Sequence, residues 1–414
     1  MSKSELVIIA PTQIKKKLGI GNIYDLTLAD FYTKAKRFNN TKIHMPFLWN
    51  VNGKHLLKQM KLEQMPLTSN SIIQCASTFI ENAKTQLIKH HLNFDDFLRD
   101  DENSAKIDVL AKTLYKTAFV EGKTQVNECL KCGEIYGSDP TIKICKNCNE
   151  PTSYYVKETL YKKIKRGELE EKIQSIKFIP EDIQLKLNAF LNQMPNEYDL
   201  ILEKKRTYSL KYKNYCLDPK FVAMLFPAIL NNDLLNNSFS MKTFIHGDVI
   251  KKFDYYSLCY LNMQDIPTKI IAHKILVGED KKKLRWQNDD NGFNLDAWDT
   301  KILRAYFLQH NINKDVVVSQ KQLEQHKIGL TRTYIKINKI LENRNLDTGK
   351  FGVRPKLQAL INEFNVAIDS FKLSKAFYSV KEYIDLSWKL VKENKLSFDE
   401  HNTLISFKQM YFGA

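Results

Sequence analysis

Apolar residues recur at helical spacing near the end of the chain. The spacing i, i+3, i+4, i+7, i+11 and i+14 is occupied by six apolar residues: Leu357, Leu360, Ile361, Phe364, Ile368 and Phe371. This spacing places all six on one face of an α-helix, and such a stripe is buried when helices pack in a bundle. The pattern therefore predicts an α-helical bundle in the C-terminal part of the chain.

The N-terminal part of the chain shows a different pattern. It predicts a strand at 5–10, a helix at 22–38 and a second strand at 47–49. Gly19 and Gly21 lie in the loop before this helix. A glycine-containing loop at the start of a helix can bring backbone N–H groups to a phosphate, although a glycine pair alone does not identify such a site.

Further helices are predicted between these two regions, at 54–92, 104–120 and 155–195, with a mixed region to residue 290. The length of 414 residues leaves room for more than one domain. A hydrophobic content of 43% with 14 Gly and 11 Pro favours a compact, helix-rich protein.

Four cysteines stand in two C-x-x-C pairs that are separated by twelve residues: Cys129, Cys132, Cys145 and Cys148. Each pair can hold one metal ion from a tight turn, and four sulfur ligands suit Zn²⁺. The alternatives are two unrelated thiol pairs or two disulfides. Because four protein ligands leave no open position, we expect this zinc to be structural and not catalytic.

The net charge of +16 makes an anionic partner such as nucleic acid a candidate. The first sixty residues contain ten Lys or Arg against three Asp or Glu, and a second basic cluster lies at 281–285. Basic patches beside aromatic residues suit a phosphate backbone. A general compositional bias toward Lys and Asn is the alternative explanation of this charge.

The sequence does not indicate a membrane protein. No apolar run approaches the ~20 residues of a membrane-spanning helix. The N-terminal residues lead directly into the first predicted strand, without the pattern of a signal peptide. We therefore expect a cytoplasmic protein that has no membrane partner.

Taken in order, these segments resemble the class I aminoacyl-tRNA synthetases of the methionyl type. The resemblance rests on short matches along nearly the whole chain: Gly19-Ile-Gly-Asn22 at the family's His-Ile-Gly-His, Phe94-Asp-Asp-Phe97, Asp218-Pro219-Lys220, the segment 296–308, and Tyr383-Ile-Asp385 with Trp388. No single match is specific; their order and spacing carry the resemblance.

The resemblance implies the fold class. It is an α/β fold with a doubly wound, Rossmann-like nucleotide-binding domain that a helical and zinc-knuckle insertion interrupts. An α-helical bundle of the anticodon-binding kind follows. On this basis the first half of the Rossmann-like domain is expected at 1–120, the knuckle insertion at 121–155, the second half with its Lys-rich loop at 156–292, and the bundle at 293–414.

The chain departs from the family at the residues that carry its chemistry. Both histidines of His-Ile-Gly-His contact ATP in the family, and this chain has Gly19 and Asn22 there. The family's Asp-Glu-His-Gly is Asn50-Val-Asn-Gly53. An aromatic residue of the methionine pocket and a nearby acidic residue become Leu225 and Pro227.

The family's Lys-Met-Ser-Lys-Ser loop is also altered, although it remains basic. The loop carries three lysines here: Lys281, Lys282 and Lys283. We interpret these lysines, with Gly19, Gly21 and Asn22, as the remnant of a nucleotide site, and we predict no catalytic residue. Losing donors that are positioned for a transition state typically costs ~10²–10³-fold each.

The resemblance also implies a binding surface for tRNA or tRNA-like RNA. In the family, a tryptophan after Tyr-Ile-Asp stacks on an anticodon base and a bundle arginine contacts the anticodon. The matching residues here are Trp388 and Arg344. Lys281, Lys282 and Lys283 would add phosphate contacts. The alternative for Trp388 is a core residue of an amphipathic helix.

Three function classes follow from these observations. The first is a synthetase-like pseudoenzyme that has lost amino-acid activation and binds RNA or regulates. The second is a divergent but active aminoacyl-tRNA ligase, which would use ATP; His44, His246 or His273 would then supply imidazoles from elsewhere. The third is a scaffold for protein partners that binds no nucleic acid.

Overall fold

The structure is a computed structural model. It describes residues 4–9, 12–51, 54–106, 120–138, 141–145, 148–193, 195–203, 211–218, 239, 241–247, 268–281, 284, 298–343, 345–347, 349 and 352–413.

The described strands and helices are named in chain order. The first part of the chain contains β1 (Ser4–Ile9), β2 (Thr12–Gln13), α1 (Ile20–Phe38), β3 (Lys42–His44), β4 (Pro46–Asn50), α2 (Lys54–Leu62), α3 (Ser69–Lys89) and β5 (Asp96–Arg99). The middle contains β6 (Val120–Glu128), β7 (Ser153–Lys165), α4 (Arg166–Gln174), β8 (Lys177–Ile179), α5 (Asp182–Leu191), β9 (Glu197–Ile201), β10 (Lys211–Tyr212), β11 (Tyr215–Cys216), β12 (Met241–Gly247), β13 (Lys269–His273) and β14 (Leu276–Val277). The last part contains α6 (Thr300–Leu308), β15 (Val316–Val317), α7 (Gln320–Glu342), α8 (Pro355–Asp369), α9 (Leu373–Lys392) and α10 (Phe398–Phe412).

A five-stranded parallel sheet forms the centre of the fold, in the order β3-β1-β12-β13-β8. The chain leaves β1, passes through α1 and returns as β3 on one side of β1; β12 and β13 continue the sheet on the other side. In sheets of this kind ligands bind outside the carboxyl ends of the strands, where the order reverses. The predicted doubly wound α/β fold with a helical C-terminal region is therefore confirmed.

The sheet and the helical bundle share one hydrophobic core. Phe31 of α1 packs on Phe364 of α8 and on Tyr411 of α10, with ring centroids 6.4 and 4.9 Å apart. The same core includes Ile245 of β12. The six apolar residues that predict a bundle helix are all buried, although α8 ends at Asp369 and Phe371 lies in the turn that follows.

A buried ion pair joins α1 to the bundle. Arg304 of α6 and Asp30 of α1 are 2% and 1% exposed, and their Nη2 and Oδ2 atoms are 2.5 Å apart. Arg304 Nε also donates to the carbonyl oxygen of Met410 in α10, at 2.8 Å. One guanidinium therefore connects the sheet-packing helix α1 with two bundle helices.

Two of the predicted helices differ from the observed elements. The prediction of helix at 155–195 is wrong for its first part, because residues to Lys165 form β7, which pairs antiparallel with β6 and β9. The strand β8 then separates α4 from α5. Between α2 and α3 the predicted helix 54–92 is interrupted by a loop. Most of the helix predicted at 104–120 cannot be compared, because residues 107–119 are not among the described residues.

We find no membrane-spanning candidate among the helices of the described residues.

Candidate metal centre and sheet-edge site

The first C-x-x-C pair forms a tight knuckle at the end of β6. Gly133 N donates to the carbonyl oxygen of Cys129 at 2.8 Å, and Cys129 N donates to the carbonyl oxygen of Glu134 at 2.9 Å. Gly133 has a φ of 69°, in the left-handed region that glycine adopts without strain. The chain therefore turns sharply enough for both sulfurs of the pair to face the same side.

The second pair repeats this geometry. Asn149 N donates to the carbonyl oxygen of Cys145 at 2.9 Å, and Cys145 N donates to that of Glu150 at 2.7 Å. Asn149 takes the place of Gly133 and has a φ of 58°, which asparagine tolerates better than most residues. The two knuckles are thus two copies of one local structure.

The knuckles bring four sulfur atoms together. All four Sγ atoms lie within 4.8 Å of one another, and the Cys129–Cys148 and Cys132–Cys145 pairs are each 3.5 Å apart. A tetrahedral Zn²⁺ with Zn–S bonds of about 2.3 Å separates its sulfurs by about 3.8 Å, so the donor set fits this ion. The 3.5 Å distances exceed an S–S bond of about 2.0 Å, so the described cysteines form no disulfide with one another.

The surroundings of the sulfurs set the chemistry of metal binding. Desolvation, with hydrogen bonds from the neighbouring thiols, raises the pKa of Cys132 to about 12. Without a metal ion, the Cys132 thiol therefore holds its proton at neutral pH, and a bound metal ion would displace that proton. Lys131 and Glu150 form an ion pair beside the site, while Lys146 and Asn147 lie outside the described residues.

A second group of polar residues lies at the carboxyl ends of β12 and β13, beside the start of α1. We call Tyr24, Asp25, His246, Gly247 and His273 the sheet-edge site. His273 Nε2 is 3.5 Å from Asp25 Oδ1, and the Tyr24 ring stands edge-on to the imidazole, with centroids 5.2 Å apart. A Cβ at Gly247 would lie 2.8 Å from His273 Cε1, so glycine lets the imidazole lie against the backbone.

The two imidazoles of the sheet-edge site have fixed hydrogen-bond roles. His273 Nδ1 is 3.0 Å from the carbonyl oxygen of Lys274, and His246 Nδ1 is 2.6 Å from that of Gly247. Since a carbonyl oxygen only accepts, each Nδ1 carries a hydrogen and donates it. In the neutral rings, each Nε2 is then an acceptor.

The helix α1 starts at this edge with few polar groups. Gly19 is its N-cap residue and provides no side-chain cap, and the first turn contains no acidic residue. A Cβ at Gly21 would meet no atom of the described residues within 4 Å, so these residues leave space beside the first turn. Gly19 thus precedes the helix as predicted, at the carboxyl edge of the sheet, but Gly21 lies in the first turn of α1 and not in the loop, because the helix begins at Ile20 and not at residue 22.

Comparison with known proteins adds the following. No family profile and no curated protein sequence matches the chain. Among solved structures, methionyl-tRNA synthetase from Mycobacterium tuberculosis in complex with methionyl-adenylate is similar, with a TM-score of 0.65 and 13% identity over 99% of this chain and 89% of that one. A second structure of that enzyme, bound by methionyl-adenylate, gives a TM-score of 0.67 at 12% identity, with the same coverage. The chain has the fold of a methionyl-tRNA synthetase. At this identity the likeness concerns the fold alone.

Within this synthetase fold, the predicted nucleotide-site residues are only partly described. Asn22 lies half-buried in the first turn of α1, at the edge of the sheet. Lys281 is exposed, has a φ of 58°, and donates its backbone N–H to the carbonyl oxygen of Gly278 at 3.0 Å. Lys282, Lys283, Leu225 and Pro227 lie outside the described residues. The assignment of these residues to a remnant nucleotide site stays a prediction.

The position of Trp388 is compatible with both of its predicted roles, as a core residue and as a stacking residue. It is half-buried on α9 and packs against the bundle core, while Lys392 Nζ is 5.4 Å from its ring centroid. One face of the ring thus supports the bundle and another meets a cation near the surface. Arg344 lies outside the described residues, so the proposed RNA contacts stay predictions.

The sequence indicated only part of the sheet-edge site. His246 and His273 were expected only as general sources of imidazole, and Tyr24 and Asp25 were not found. The sequence does contain a signal for Asp25: it follows Asn22 by three positions and therefore lies on the same side of α1 as the predicted nucleotide-site residue. The third histidine, His44, lies elsewhere: its Nε2 atom is 3.2 Å from Oδ2 of Asp96, at the start of β5.

Proposed function

We propose that this chain is a methionyl-tRNA-synthetase-like protein that has lost amino-acid activation and acts as a tRNA- or RNA-binding or regulatory module. One observation carries this proposal. The α1 N-terminus lies at the carboxyl edge of a synthetase-type sheet, but the two positions where the resembling family has ATP-contacting histidines are Gly19 and Asn22.

The histidines of the sheet-edge site do not replace these donors. In its neutral form, each of the His273 and His246 rings would donate through Nδ1 to a backbone carbonyl, which leaves its Nε2 atom without a hydrogen for a phosphate oxygen. If His273 took up a second proton, the Asp25 carboxylate at 3.5 Å would be its partner. That carboxylate also places negative charge near the site where a triphosphate would bind, which opposes binding.

Tight binding of ATP also needs cations, and those described nearby are already engaged in part. Lys16, in the loop before α1, pairs with Glu63 of the segment after α2 at 3.0 Å. Lys281 remains exposed in the Lys-rich loop. These features support loss of the activation step, and they leave basic surface for RNA.

The proposed partner is tRNA or a tRNA-like RNA. The net charge of +16 and the synthetase fold support it, as does the position of Trp388, which offers an aromatic ring with a lysine above it. Aromatic stacking on a base tolerates many sequences, so binding does not require recognition of a methionine anticodon. We also propose a cytoplasmic location, the domain boundaries given above, and one structural Zn²⁺ at the four cysteines.

RNA binding is tested with the whole chain and tRNA at stepped salt concentrations. Since phosphate contacts dominate, affinity should fall steeply with salt. Trp388→Leu, which keeps an apolar side chain, should remove a stacking contact of ~1–3 kcal/mol, most clearly for RNAs with an unpaired loop. Trp298→Leu is the matched control, because Trp298 is also half-buried on the core with Lys327 5.9 Å from its ring.

The outcomes separate the function classes. Absence of RNA binding at low salt would favour the scaffold for protein partners. An equal loss of RNA affinity in Trp388→Leu and Trp298→Leu would indicate that Trp388 is a core residue and not a stacking contact. A bound tRNA with salt-dependent affinity and a selective effect of Trp388→Leu is the expected result.

A divergent ATP-dependent aminoacyl-tRNA ligase is the second candidate, and one observation favours it. The Tyr24 hydroxyl and His273 Nε2 are buried in the sheet-edge site, and neither forms a hydrogen bond with another described residue, although Asp25 Oδ1 lies 3.5 Å from His273 Nε2. Buried polar atoms of this kind are usually paired, so a small ligand at the edge would satisfy them. An amino-acid-dependent exchange reaction would support this candidate over the first.

A further inference from the structure

We propose that Tyr136 is a positioning residue of the metal centre, whose hydroxyl donates a hydrogen bond to the Sγ atom of Cys145. The two atoms are 3.2 Å apart. The inference rests on the proposed metal binding by the four cysteines. It adds a side-chain donor to a site that the cysteine spacing alone describes by its ligands.

The first knuckle holds Tyr136 in place through its backbone. Tyr136 N donates to the carbonyl oxygen of Asn127 at 2.8 Å, and Asn127 N donates to that of Gly137 at 2.8 Å. This pairing attaches the segment that follows Cys132 to the end of β6. The side chain then reaches across to Cys145, a ligand from the other knuckle, so Tyr136 couples the two halves of the site.

The direction of the hydrogen bond follows from the chemistry of the ligand. A cysteine binds a metal as the thiolate, which has no hydrogen to give. The phenol is therefore the donor. A hydrogen bond to a thiolate stabilises its negative charge and reduces the electron density that sulfur gives to the metal.

The backbone supplies comparable donors to the second cysteine of each knuckle. Glu134 N–H bonds to Cys132, and Glu150 N–H bonds to Cys148, and each bond favours the thiolate. Cys145 is the first cysteine of its knuckle and receives the Tyr136 hydroxyl. Tyr136 thus contributes to spreading the charge of four thiolates over several donors.

The repeat of the knuckle provides an internal control. Thr152 occupies in the second knuckle the position of Tyr136 in the first, since each lies seven residues after the first cysteine of its pair. The backbones match: Thr152 N donates to the carbonyl oxygen of Lys143 at 2.9 Å. The Thr152 hydroxyl, however, donates to the carbonyl oxygen of Ile142 and not to a sulfur.

The test uses the whole chain loaded with Co²⁺, which reports sulfur ligation by its sulfur-to-metal charge-transfer absorption. Tyr136→Phe, which removes one oxygen atom, should shift this band to longer wavelength, because Cys145 becomes a stronger electron donor. Its metal affinity, measured by competition with a chelator, should fall about 10–100-fold. Thr152→Val should leave both the band and the affinity as they are in the unmodified protein.

The experiment distinguishes failure of the proposed metal centre from failure of the proposed role of Tyr136. If the unmodified chain binds no Co²⁺ or Zn²⁺, the metal centre itself is wrong and the role of Tyr136 falls with it. If the chain binds metal but Tyr136→Phe changes neither band nor affinity, or Thr152→Val changes them equally, only the role of Tyr136 is overturned. If Tyr136→Phe binds less than one equivalent of metal, Tyr136→Gln, which keeps an N–H donor, should bind a full equivalent. If neither variant binds one equivalent, the proposal is overturned.

Discussion

Replacement of Arg304 by methionine should destabilise the whole protein strongly. Met keeps much of the apolar side-chain volume but removes the guanidinium that contacts Asp30 and the Met410 carbonyl. Asp30, which is 1% exposed, would then keep Lys34 at 2.9 Å and the Asn93 N–H at 3.1 Å. The substitution therefore removes the main partner of the buried Asp30 carboxylate but leaves two weaker partners, Lys34 and the Asn93 N–H.

The size of the effect follows from these contacts. Breaking a buried ion pair by removing one partner costs about 3–5 kcal/mol, and the remaining Lys34 pair places this case near the lower end. The Met410 carbonyl is among the last four of α10, so loss of its side-chain donor adds about 1 kcal/mol. We expect the free energy of unfolding to fall by about 3–4 kcal/mol in Arg304→Met.

The assay is equilibrium unfolding in urea, followed by tryptophan fluorescence and by far-ultraviolet circular dichroism. Because sheet and bundle share one core, both signals should report one shifted transition. Lys186→Met, which breaks the exposed pair with Asp182, is the control and should change stability by about 0.3–0.5 kcal/mol. The double variant Asp30→Asn/Arg304→Met should lose about 1–3 kcal/mol less than the sum of the single variants. A loss below 1 kcal/mol in Arg304→Met, or strict additivity, would refute this reasoning.

Further predictions concern pH, metal and RNA. Burial, and then the charge of His326, lowers the pKa of His310 to about 4. Between about pH 6.5 and 4 the unfolded chain therefore binds more protons than the folded one, so the free energy of unfolding should decrease as the pH falls through this window. His310→Phe should reduce this decrease. An unchanged dependence of stability on pH in urea titrations would contradict this. Elemental analysis of the purified protein should give one Zn²⁺ per chain, and Cys145→Ser should lose it and unfold the knuckles, a coupling on the order of 10 kcal/mol; normal folding without metal would remove the claim. Changing Lys281, Lys282 and Lys283 together to Ala should weaken binding to all RNAs alike and reduce the salt slope, whereas a loss confined to one RNA would argue against phosphate contacts.

The local parts of this structure could be predicted from the sequence. The two cysteine pairs predicted two knuckles, because a C-x-x-C turn is closed by hydrogen bonds within six residues, such as Cys129 N to the Glu134 carbonyl. The apolar stripe from Leu357 likewise predicted a bundle helix, because helical spacing alone decides which face is buried. Both signals depend on neighbours along the chain.

The sequence failed where distant segments meet. The local pattern predicts a helix where β7 forms, because the stability of β7 comes from pairing with β6 and β9, which a local pattern does not show. Asp30 and Arg304 are 274 residues apart in sequence, so no spacing rule connects them. The pair of Asp25 and His273 is hidden for the same reason: the parallel sheet, and not the local sequence, brings the end of β13 to the start of α1.

The loss of amino-acid activation is tested most directly by amino-acid-dependent exchange between ATP and pyrophosphate, with each of the twenty amino acids in turn. The protein should first be shown to be folded and loaded with metal. With Gly19 and Asn22 at the start of α1, we expect no exchange above the background without amino acid, for methionine or for any other. Exchange that depends on methionine, or on one other amino acid, would contradict the account and identify the chain as an active ligase.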